Sequence, residues 1–110
     1  MKPLYIIRKE AKCLKAAAFF LETLFLSLDI AGVFVTQIIL SKNDEYLKIY
    51  YFCSKSNFFV VQKTLKKNLV PILNHLLANV SFKKVPKICF IFDRNYEKVL
   101  KTQNIIDNLS

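Results

Sequence analysis

Apolar and polar positions recur along this chain in two rhythms, one helical and one extended. Ile7, Ala11, Leu14, Ala18, Leu21, Phe25 and Leu28 follow one another at alternating steps of four and three, the signature of one face of an amphipathic helix. That pattern predicts a helix over residues 5–28. Arg8, Lys9, Lys12 and Lys15 fall off the stripe in its first half, and Phe19, Phe20, Leu24 and Leu26 widen it in the second. Residues 29–32, ending in the sole glycine, Gly32, break the rhythm. Residues 33–41 (VFVTQIILS) are rich in β-branched side chains and read as a strand. Lys42, Asn43 and Asp44 form a polar turn, and residues 45–52 (EYLKIYYF) return as the second strand of a hairpin spanning 33–52. Tyr46, Lys48 and Tyr50 fall on one face of it, Leu47, Ile49 and Tyr51 on the other.

The helical rhythm then resumes. Ser56 or Asn57 offers an N-cap, and Leu65, Leu69, Ile72 and Leu76 define the buried side of a helix over 57–80, with Lys63, Lys66 and Lys67 opposite. Pro71 lacks an N–H and its ring collides with the carbonyl four residues back, so this helix kinks near residues 68–70. Pro86 drives Val85 into an extended conformation. It opens a strand over 86–93 whose run Ile88 to Phe92 is wholly apolar, as expected of a strand covered on both faces or central in its sheet. Arg94 and Asn95, or Asp93 just before them, cap a closing helix over 95–109, with Val99, Ile105, Ile106 and Leu109 available for docking. The order helix, strand, strand, kinked helix, strand, helix predicts an α+β domain with helices on one face of a three-stranded sheet.

Length and composition narrow this picture. The 110 residues suffice for one domain, 1–110, and a hydrophobic content of 54% sets the chain apart from disordered sequences. A net charge of +9 points to a polyanionic partner or surface. Only Arg8 and Arg94 are arginines, so the positive charge is mostly lysine. Lysine is a mobile point charge, suited to backbone phosphates more than to bidentate base reading. Glu22 and Asp29 interrupt the apolar stretch from Ala16 to Leu40 and argue against a membrane span, and no small-residue cleavage pattern follows it.

Candidate catalytic chemistry is thin. One glycine rules out a glycine-rich phosphate loop. Cys13, Cys53 and Cys89 are far apart, lack metal-ligand spacing and sit among apolar residues, so they read as reduced core thiols and no metal or cofactor is expected. His75 is the sole histidine, no nucleophile stands at a recognisable spacing from it, and the acids are scattered. Asp93 reads as a structural cap. The expected function is therefore non-catalytic.

The order of elements and the run LKKNLVPILNHLLANVSFKKVPKICFIFD resemble the bacterial ribosome-binding factor A family. That family shows a basic helix, a pattern like R-R-V-P-x-L-x-F-x-x-D, and a closing helix with an early glutamate. Lys83, Lys84, Val85, Pro86, Ile88, Phe90, Asp93 and Glu97 occupy those places here, and the resemblance runs from about Ile6 to Leu109. Two features depart from it. The Ala-x-Gly that kinks the family's long helix is replaced by Asn68, Leu69 and Val70 before Pro71, and the acidic, proline-containing segment before the first strand is reduced to Leu28, Asp29 and Ile30. The resemblance implies a type II KH-like fold and a cytoplasmic assembly factor, bacterial or organellar. It implies binding to 16S ribosomal RNA on the immature, free small subunit. The contact residues expected from this reading are Lys63, Lys66, Lys67, Asn68, Lys83, Lys84 and Lys87, acting in a monomer with no small-molecule substrate and no membrane. Two alternatives stand beside it. Each lysine has an ordinary reading as solvated surface, and the aromatic first helix with its flanking lysines would suit a peripheral membrane or protein-interaction module.

Overall fold

The computed structural model describes residues 2–100. Helix α1 (Leu4–Ser27) leads through a loop to strand β1 (Phe34–Leu40), which turns into β2 (Tyr46–Phe52). A single 3-10 turn (Lys55–Asn57) opens α2 (Phe58–Lys67), and α3 (Leu69–Asn79) and β3 (Lys87–Phe92) follow. Residues 94–100 are helical and form α4 as far as it is described. Residues 105, 106 and 109, expected to dock, lie outside the described residues.

The three strands make a mixed sheet in the order β1-β2-β3, with β1 antiparallel and β3 parallel to the middle strand. Ile38 pairs with Ile49 and Ile49 with Phe90, while Leu40 pairs with Leu47 and Leu47 with Ile88. These residues therefore share one face of the sheet. Against it pack Cys13, Ala17, Leu21 and Phe25 from α1, Val61 and Leu65 from α2, and Ile72 and Leu76 from α3. The result is an α+β fold of two layers, with α1, α2 and α3 on one side of the sheet. A register shift between Val35 and Gln37 sets Thr36 out of the ladder, and its hydroxyl donates to Asp93 Oδ2. Asp93 Oδ1 accepts the Tyr96 N–H at 3.0 Å. That acid, and not Arg94 or Asn95, caps α4.

Three sequence expectations are corrected. The buried side of α1 is formed by Ile6, Cys13, Ala16, Ala17, Leu21 and Phe25, whereas Ile7, Leu14 and Leu28 are 47%, 36% and 48% exposed and Ala11 is exposed too. Leu21 and Phe25 are buried as expected, whereas in the first half the buried line runs about one position earlier, where Lys9 and Glu10 bond Asp44 and Leu40. Leu69 is 40% exposed, since the chain leaves α2 at Asn68 (φ −106°, ψ 18°) and restarts the helical register beyond it. Strand β3 is an edge strand and not a central one. Its continuous apolar run reflects Ile88, Phe90 and Phe92 packed against the core, with Cys89 and Ile91 half-buried on the other face. Cys89 is accordingly only partly enclosed, unlike the buried Cys13 and Cys53.

Candidate nucleic-acid interface

The end of the sheet that carries the hairpin turn is organised by a buried acid. Asp44, which the sequence places in a polar turn, is 2% exposed and takes a left-handed φ of 58°, a conformation that aspartate tolerates better than most residues. Its Oδ2 accepts the Lys9 ammonium at 2.9 Å and the Lys83 backbone N–H at 2.7 Å. Burial pushes this carboxyl up, but the bonds from Lys83 and Lys9 outweigh it and hold the group below its ordinary value. On the next residue of α1, Glu10 Oε2 accepts the Leu40 N–H at 2.7 Å and the Lys2 ammonium at 2.6 Å. The first turns of α1, the hairpin turn and the entrance to β3 are thus tied into one structural corner.

That corner fixes one group of the expected contact residues. Lys83, Lys84 and Lys87 are all exposed around it. The Lys87 N–H bonds the Glu45 carbonyl at 2.9 Å, the Lys84 ammonium pairs with Glu45 at 3.1 Å, and the Lys83 ammonium lies 5.6 Å from the centre of the Tyr5 ring. The second group, Lys63, Lys66 and Lys67, is exposed on α2, and the latter two stand in its last turn, where the helix dipole favours cations. Helix α2 begins beside the far end of β3, with Phe58 packed on Phe92 at 5.3 Å. The expected contact residues are thus positioned by two different elements, α2 and the entrance to β3.

Asn68 joins α2 to α3. Its Nδ2 donates to the Thr64 carbonyl at 2.8 Å and its backbone N–H to the same carbonyl at 3.0 Å, so one of its two amide donors already serves the helix end. Pro71 occupies the third position of α3, within the first turn, where backbone N–H groups lack intrahelical partners. The break expected from Pro71 is present, made by asparagine and proline with no glycine.

The buried thiols of Cys13 and Cys53 are poor nucleophiles. Burial pushes Cys13 up to about 12 and raises Cys53 as well, so both stay protonated at neutral pH. Among the described residues, no three His, Cys, Asp or Glu side chains gather as a metal site, and no helix is long and apolar enough to cross a membrane. Sequence alone placed Asp44 only in a polar turn and did not include Arg8, Lys12 and Lys15 among the expected RNA contacts; the structure leaves these three exposed on α1.

Comparison with known proteins gives no matching family model and no match among curated proteins. Among solved structures, the crystal structure of ribosome-binding factor A from Thermus thermophilus superposes with a TM-score of 0.70 at 19% identity, over 81% of this chain and 97% of that one. The fold is that of ribosome-binding factor A. Nearly the whole of the ribosome-binding factor A structure has a counterpart here.

Proposed function

We propose that this chain is a non-catalytic assembly factor of the small ribosomal subunit, a single KH-like domain that binds immature 16S ribosomal RNA through lysine ammonium groups. The observation that carries this reading is the likeness to a protein named for ribosome binding, which extends over 97% of that protein's chain. The net charge of +9 and the exposure of Lys63, Lys66, Lys67, Lys83, Lys84 and Lys87 support it. KH modules grip single-stranded RNA, and a helix break made by Asn68 and Pro71 keeps the geometry of a bent helix while changing its chemistry. The protein acts as a cytoplasmic monomer in this reading. A sucrose-gradient profile tests it. The protein co-sediments with free small subunits, and cells lacking it accumulate such subunits carrying unprocessed RNA ends. A normal profile in the deleted strain would remove the proposal.

A second reading is favoured by one observation: Leu4, Phe19 and Leu26 of α1 are 59%, 65% and 65% exposed. An interaction module of the membrane surface or of another protein would use such residues. Recovery of the protein in the membrane fraction, and not with small subunits, would select it.

A further inference from the structure

Helix α1 carries a second regular line besides its buried one. Tyr5, Arg8, Lys12, Lys15 and Phe19 follow at steps of three, four, three and four, so they stack along one face over about 21 Å. All five are exposed, and among the described residues none of the three cations has an ion-pair partner. The line borders two adjoining hollows between α1 and the end of α3. One, of about 440 Å³, is walled by Tyr5, Arg8 and Lys12. The other, of about 560 Å³, is walled by Lys12, Lys15, Phe19 and His75. His75 stacks on Phe19 at 6.3 Å with the rings 20° apart, so Phe19 is a braced platform despite its exposure of 65%. At the other end, Tyr5 lies under the Lys83 ammonium, which joins the line to the strand-entrance lysines.

We propose that this line is a contact strip for single-stranded RNA, with Arg8, Lys12 and Lys15 on successive phosphates and Phe19 and Tyr5 stacking on bases at its two ends. It rests on the RNA-binding reading above and adds α1 to the lysines named there. Single-strand binders combine a positive track with aromatic faces on which bases stack, and the order aromatic, three cations, aromatic supplies both in one line. A lipid surface fits less well. An interfacial helix lies on a broad apolar face with cations at its flanks, whereas here Leu21 and Phe25 are buried in the core, the exposed Leu4, Phe19 and Leu26 stand towards the two ends of the helix, and the cations occupy the middle of the line. Glu22, the next acid along the helix, ends the positive run.

The test uses the full chain and a fluorescent single-stranded oligouridine of about 12 nucleotides, with anisotropy followed across a salt series. The triple variant Arg8→Gln, Lys12→Gln, Lys15→Gln lowers the slope of log affinity against log salt by about 2, roughly 0.7 for each phosphate no longer neutralised. Phe19→Ala weakens binding on the order of tenfold with the slope unchanged. Lys12→Gln alone, with an expected slope change of about 0.7, serves if the triple variant fails to fold. An unchanged slope in the α1 variants, with binding lost in Lys63→Gln, Lys66→Gln, Lys67→Gln, sinks the strip and leaves the RNA-binding reading standing. Failure of the parent protein to bind RNA at low salt sinks both. A neutral Phe19→Ala, or one that instead abolishes binding to phosphatidylcholine–phosphatidylglycerol vesicles, overturns the stacking role.

Discussion

At the scale of single residues, Asp44 has the greatest influence on the rest. A carboxylate that is 2% exposed and bonded to both an ammonium and an amide leaves two unmet donors when removed. Asp44→Ala is therefore expected to cost about 2–4 kcal/mol in urea unfolding. The same carboxyl gives the fold an acid-side pH dependence. Its folded value is depressed, so its stabilising contribution is complete above the unfolded value of about 3.9 and fades as pH falls through the folded one. Stability measured from pH 6 downward should fall less steeply in Asp44→Asn than in the parent protein. Nothing in the sequence marks this residue. An aspartate beside Lys42 and Asn43 reads as solvated turn, and its partners Lys9 and Lys83 lie 35 and 39 residues away. Asp93 was legible because a cap acts within three residues of itself.

At the scale of elements, the break between α2 and α3 sets which side chains reach the core. An uninterrupted helix would bury Leu69 one turn after Leu65. The structure buries Leu65 (1% exposed) and leaves Leu69 at 40%. Leu65→Ala should cost about 2–5 kcal/mol and Leu69→Ala under about 1 kcal/mol, read from denaturation midpoints at constant m. The break itself could be read from Pro71, whose effect is local and steric. The hairpin could be read for a similar reason, from β-branched runs on either side of a polar turn. The register of α1 could not. The expected stripe avoided Lys9 and Glu10 as polar, whereas long-range bonds to Asp44 and Leu40 draw both toward the sheet. Tertiary pairing overrode a pattern based on side-chain polarity.

At the scale of the whole molecule, the exposed lysines are carried by separate elements. Lys63, Lys66 and Lys67 belong to α2, which starts beside Phe92, while Lys83, Lys84 and Lys87 surround the other end of β3. Groups more than about 7–10 Å apart with no shared partners act independently. In the RNA-binding reading, neutralising either trio with glutamine lowers RNA affinity, and the six-fold variant distinguishes separate contacts, whose losses add within about 0.5 kcal/mol, from one continuous patch, whose losses do not. A net charge can be counted from a sequence, but its division into clusters depends on where each helix is anchored. The parallel pairing of β2 with β3 has one more consequence. The middle strand is complete by Phe52, yet its second neighbour begins only at Lys87. During synthesis the backbone amides on that side wait for some thirty-five further residues to leave the ribosome. Until then they form a bare template for any extended peptide nearby. A transcript cut short before Lys87 would yield a product prone to self-association, and speed of translation through α2 and α3 sets how long the nascent chain is at risk.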